Sequence, residues 1–162
     1  MFCFSYGSNM SLIRLRDRVP SARFVAVATL PAHGLRFHKV SKDGSGKCDA
    51  EETGNREDRV IGVVYDIADD ERQALDRKEG LGSGYDAKEI EVTTDQGSLT
   101  ALMYFATYVD PALKPYVWYK EHVLIGAREN ELPSEYIARI EAVEAVDDPD
   151  TMRHERELTI YR

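Results

Sequence analysis

Three short segments of the 162-residue chain hold side chains whose types and spacing suit chemistry. The first is Tyr6-Gly7-Ser8-Asn9, which follows the apolar stretch Phe2 to Ser5 and precedes an amphipathic one. A glycine turn entering a helix leaves backbone N–H groups unpaired at the positive end of the helix dipole, which favours an anion. Gly7 lets a ligand approach the backbone closely. The ordinary alternative is a strand-to-helix turn with a good cap. The second is Asp76-Arg77-Lys78-Glu79-Gly80, where Glu79 falls at the end of an expected helix just before a glycine cap. A carboxylate there faces the negative end of the dipole. With partial burial its pKa would move upward, as a general base working near neutral pH requires. A solvated surface glutamate is the plainer reading. The third is Trp118-Tyr119-Lys120-Glu121-His122, where Tyr119 reads from the pattern alone as a core aromatic with its hydroxyl at the rim.

Other arrangements fail on inspection. Gly44-Ser45-Gly46-Lys47-Cys48 lacks the Ser or Thr after Lys and the earlier Gly of a phosphate loop. His33, His38, His122 and His154 show no metal spacing, and Cys3 and Cys48 form no Cys-x-x-Cys pair. There is no Gly-x-Ser-x-Gly elbow. Cys3, inside an apolar stretch, reads as a buried, inert thiol. Neither a metal enzyme nor a covalent one is indicated by motif.

The elements that must position these residues follow from the pattern. Phe2 to Ser5, Phe24 to Leu30 and Leu35 to Val40 read as strands, with a short helix over Met10 to Arg18. Val60 to Ile67 is a near-continuous apolar run, as in a strand buried on both faces. Between them, Ser41 to Arg59 is rich in glycine and charge and reads as a long loop, with room for one short strand. Asp69 and Asp70 cap a helix through Arg77. Glu89 to Thr94 and Leu99 to Thr107 form a strand pair around Asp95-Gln96-Gly97. Helices are expected over Pro115 to Glu129 and from Pro133 to about Ala145. The tail after about residue 147 reads as extended, and residues 1–162 as a single domain.

Composition narrows the partners. With 29 acidic and 21 basic residues the formal net charge is −8, which argues against nucleic acid or anionic lipid as a ligand. No window approaches 18 uninterrupted apolar residues, and the N-terminus lacks a basic signal region, so neither a membrane partner nor secretion is expected. Two cysteines make no disulfide scaffold, and a cytoplasmic, reducing compartment is the simpler expectation.

The three segments, in this order, resemble the γ-glutamylcyclotransferase family. The resemblance is carried by Tyr6-Gly7-Ser8-Asn9, by Leu75-Asp76-x-x-Glu79-Gly80, and by Tyr119 with Gly126-Ala127-Arg128-Glu129-Asn130-x-Leu132-Pro133, across most of the chain. It implies an α+β fold, a small mixed β-barrel-like sheet with helices outside. It also implies a cofactor-independent enzyme that releases 5-oxoproline and an amine from a small-molecule γ-glutamyl substrate. Asn9 resembles the branch acting on γ-glutamyl amino acids. The resemblance makes Glu79 the catalytic base and assigns substrate binding to Ser5, Tyr6, Gly7, Ser8, Asn9 and Tyr119. Arg14 is expected to add local attraction for an anionic ligand. The charged stretch Cys48 to Glu52 and the segment after Gly84 depart from the family pattern, which leaves the leaving amine open. A larger γ-glutamyl amine or peptide, or binding without turnover, are the alternatives. A homodimer rests on analogy alone.

Overall fold

The apolar run becomes the spine of a closed barrel in the computed structural model, which describes residues 1–162. Strand β5 (Arg59–Asp66) is buried at every residue from Val60 to Tyr65. It has that character because both edges are paired: β1 (Phe2–Ser5) and β2 (Arg23–Pro31) lie antiparallel on either side. β6 (Tyr85–Thr94) and β7 (Gly97–Ala106) form the expected hairpin, joined to β2 through Thr29 and Thr93. β1 then meets β7 in parallel, Cys3 opposite Leu102, and the five strands close in the order β1-β5-β2-β6-β7. The fold is the expected α+β barrel-like sheet with helices outside.

Two expectations need adjustment. The stretch 41–59 is not loop throughout: the short strand it had room for is Gly46–Glu52, β4, antiparallel to β3 (His33–Val40) in a separate two-stranded sheet. Its polar sequence hides an inward face, because Cys48 and Ala50 are buried and the buried Asp49 is fully partnered. Asp49 stands 2.7 Å from His38 Nε2 and accepts the Ala106 N–H at 2.8 Å, which pins the hairpin to β7. A buried carboxylate is tolerated when it is bonded in this way. The tail is not extended either. Thr151–Thr159 forms helix α5, capped by Asp150, whose side chain accepts the Arg153 N–H.

The remaining helices are α1 (Leu12–Arg18), α2 (Arg72–Glu79), α3 (Val117–Glu129) and α4 (Ser134–Glu141). α4 stops short of Ala145, and a 3-10 turn at Asp69–Glu71 precedes α2. α3 packs on the segment after β1 through Gly126. A Cβ there would lie 2.5 Å from Met10 Cβ and 2.6 Å from the Met10 carbonyl carbon and the Ser11 nitrogen, so only glycine allows the approach. No helix is long and apolar enough to cross a membrane.

Candidate active site

The end of β1 and the end of α2 meet at one cavity. β1 stops at Ser5, and the chain turns through Tyr6 and Gly7 into a 3-10 turn at Ser8–Met10 before α1. Ser5 to Asn9 line one cavity, together with Glu79 and Tyr119. All seven residues expected at the site are therefore brought together. The backbone N–H groups of Tyr6 and Gly7 make no hydrogen bond within the protein, whereas the carbonyls of Gly7 and Ser8 accept from Met10 and Ser11. The turn thus leaves two backbone donors unpaired beside the cavity, while the Gly7 and Ser8 carbonyls are taken.

Glu79 is the only ionisable acid on the cavity wall. It is the last residue of α2, and Gly80 follows in the left-handed conformation (φ 67°), closing the helix onto Arg77 and Asp76. Its side chain is 15% exposed. Asn9 Nδ2 donates to its Oε1 at 2.7 Å, and Arg18 Nη1 donates to Asn9 Oδ1 at 2.9 Å. Arg18 Nη1 also lies 3.7 Å from the same carboxylate oxygen. A three-residue chain therefore fixes the carboxylate, and the side-chain amide of Asn9 faces Glu79 and Arg18. The nearby cation is Arg18 and not Arg14. Arg14 donates to Glu157 at 2.8 Å and stands 3.1 Å from His122 Nε2, so it is committed elsewhere.

Tyr119, on the first turn of α3, accepts the Cys48 N–H at 3.0 Å. Its hydroxyl proton is left for another acceptor. Burial pushes its pKa well above the ordinary value, so it stays a neutral donor. Gly7 meets the same pair: a Cβ on it would stand 2.9 Å from Cys48 Cβ and 3.3 Å from the Tyr119 hydroxyl. The turn, β4 and α3 come together there with no room for a side chain.

Four positions that shape the cavity lie outside the seven expected residues. Cys48, Tyr85 and Tyr104 line the cavity, and Arg18 stands behind Asn9. The Tyr85 hydroxyl donates to the Cys48 carbonyl at 2.7 Å, so phenols hold both sides of that backbone unit. Tyr6 donates to the Tyr104 carbonyl at 2.6 Å, and the Tyr104 hydroxyl donates to Asp76. Tyr6 thus serves the wall through its ring and hydroxyl, and its N–H stays unpaired. Cys3 and Cys48 are both buried, and burial pushes each thiol up to about 12. Neither is a thiolate at neutral pH, so neither serves as a ready nucleophile.

A closed five-stranded barrel with one carboxylate facing the turn after its first strand defines a recognisable class of protein. The AIG2-like family profile matches residues 59–140. Gamma-glutamylcyclotransferase of Homo sapiens is 36% identical over 150 residues, covering 89% of this chain and 79% of its own length. The Mus musculus protein of the same name is 37% identical over 147 residues, covering 87% and 77%. A solved structure described as gamma-glutamyl cyclotransferase superimposes with a TM-score of 0.84 at 32% identity, covering 91% of this chain and 89% of that one. The chain belongs to the gamma-glutamylcyclotransferase family and is an enzyme of that type.

Proposed function

We propose that the enzyme converts γ-glutamyl amino acids into 5-oxoproline and a free amino acid, with Glu79 as general base. The observation that carries this reading is the lone cavity carboxylate, tethered by Asn9 and facing a turn with free N–H groups. A site with one acid and no thiolate, triad or nucleophilic hydroxyl–base pair suits a reaction whose nucleophile belongs to the substrate. The substrate's α-amine attacks its own γ-carbonyl and closes a five-membered ring. Holding the glutamyl chain folded captures the orientation advantage of an intramolecular step, about 7–11 kcal/mol in good cases.

The proton inventory sets the roles. The α-amine, with a pKa of about 8, arrives as an ammonium and must lose a proton. That first proton goes to solvent; Glu79 takes the second as the new C–N bond forms and the carbonyl oxygen becomes an oxyanion. Glu79 then returns the proton to the amide nitrogen, whose bond to the γ-carbon breaks, and the amino acid leaves. Such proton transfer contributes about 10²–10⁴-fold. The N–H groups of Tyr6 and Gly7 receive the substrate's α-carboxylate or the oxyanion, and losing one oxyanion donor costs about 3–4 kcal/mol. The free proton of the Tyr119 hydroxyl hydrogen-bonds the glutamyl group, and Ser5, Ser8 and Asn9 complete the wall around it.

Incubation with a panel of γ-glutamyl dipeptides should release 5-oxoproline, read by mass spectrometry. Folded protein that releases none from any of them overturns the reading. Glu79→Gln should melt as the parent does and lose about 10²–10⁴-fold in kcat. A fully active Glu79→Gln removes that residue from the mechanism.

A further inference from the structure

Lys39 on β3 and Lys47 on β4 face each other across the hairpin. Lys47 is committed: its amine donates to the Asp43 carboxylate at 2.8 Å and to the Ser41 hydroxyl at 3.3 Å. Lys39 has no carboxylate partner. Its amine lies 4.7 Å above the centre of the Tyr85 ring and 3.0 Å from where a Cβ on Gly84 would stand. Gly80 to Gly84 is the loop that carries Glu79 into Tyr85, so the Lys39 amine abuts the segment joining the base to the cavity wall. Burial and the neighbouring Lys47 both disfavour its charge, with Glu79 and Asp43 opposing. A partly buried ammonium without a counter-ion is unfavourable, and an aromatic face compensates only in part. The arrangement is one that an incoming anion completes.

The proposed reaction supplies such an anion. When the leaving half is an amino acid, its carboxylate carbon is two bonds, about 2.5 Å, from the nitrogen that Glu79 protonates. Its partner must then stand beside Glu79 at the rim, outside the glutamyl pocket. We propose that Lys39 receives the α-carboxylate of the departing amino acid. This makes Lys39 a specificity-determining residue that favours γ-glutamyl amino acids over γ-glutamyl compounds of simple amines. The inference rests on the cyclotransferase reading. It also names the local attraction for an anionic substrate that a chain of net charge −8 needs.

The test compares kcat/KM for γ-glutamyl-L-alanine and γ-glutamyl-L-alaninamide, which differ only in the carboxylate. The parent should prefer the acid by about tenfold or more, the scale of a charge-assisted hydrogen bond. Lys39→Met should bring that ratio close to one, mainly through KM, and Lys39→Arg should restore most of it. A ratio unchanged in Lys39→Met overturns the assignment while leaving the cyclotransferase reading intact. If the parent turns over neither these compounds nor any γ-glutamyl dipeptide of the panel, the cyclotransferase reading itself fails; if it turns over another dipeptide, the same acid–amide comparison is made on that one. Calorimetry of both compounds on Glu79→Gln and on Glu79→Gln with Lys39→Met reads Lys39 without turnover. Equal affinity of the two proteins for the acid overturns the proposal.

Discussion

At the scale of single residues, the site turns on how a carboxylate is held at the wrong end of a helix dipole. Asn9 bonds Glu79 and is itself bonded by Arg18, so three side chains far apart in sequence fix one oxygen. Asn9→Ala should leave the fold intact and lower kcat by about 10²-fold with little change in KM, because a displaced base costs about that much. Steady-state kinetics on γ-glutamyl-L-alanine check this, and a variant with parental kcat would show that the tether is dispensable. The two thiols give a second prediction. Both are buried and pushed up to about 12, so native protein should resist iodoacetamide at neutral pH, whereas the unfolded chain should take two adducts by intact mass. Glu79 was legible in the sequence because a helix, a carboxylate and a glycine cap follow one another. Arg18 and Cys48 were not, because an arginine on a short helix and a cysteine among charges carry no periodic or spacing signal. Their meaning arises only when α1 and β4 reach the same cavity.

At the scale of elements, Gly126 sets the distance between α3 and the turn after β1. Gly126→Ala gains about 1 kcal/mol of helix propensity, but its Cβ enters the Met10 and Ser11 backbone. The expected net effect is a loss of about 1–3 kcal/mol in chemical denaturation, with reduced turnover because the turn shifts. A variant as stable and active as the parent would mean that α3 does not set the turn. The barrel strands were mostly legible, since Val60 to Tyr65 is apolar throughout and the β6–β7 pair flanks a clear turn. β4 was legible only as room for a short strand in a charged stretch, because Asp49 reads as a surface residue until His38 and the Ala106 N–H satisfy it. α5 was hidden in a similar way. Its sequence is dense in charge, and its purpose appears only where Glu157 and the following Tyr161 reach α1 and α3.

At the scale of the whole molecule, the C-terminal segment is clasped to the body by a partly buried network. Glu157 accepts from Arg14 and lies 3.2 Å from His122 Nε2, while Tyr161 joins His122 at 2.6 Å and donates to Ser11 at 3.1 Å. Burial pushes His122 below its ordinary pKa. Although burial alone would raise Glu157, its bonds to His122 and Arg14 hold it at about 2, against an ordinary 4.5. Both shifts are downward, so both contributions to stability are complete above the unfolded pKa values and fade as pH falls. Stability should decline below about pH 6.5, where the unfolded chain protonates His122 while the folded protein resists, and further below about pH 4.5, where the unfolded chain protonates Glu157. Glu157→Gln should cost about 1–2 kcal/mol near neutral pH, and its deficit should shrink at about pH 3, as read by urea denaturation. A deficit independent of pH would show that the carboxylate's charge is not what matters. The barrel adds a consequence in time. β1, made first, closes the ring only against β7, with Cys3 opposite Leu102, and the turn that lines the cavity is its direct continuation. Contacts so distant along the chain form late. A nascent chain therefore completes this cavity only after β7 has emerged from the ribosome. In refolding, recovered activity should lag behind recovered helix content, so that turnover serves as a reporter of ring closure.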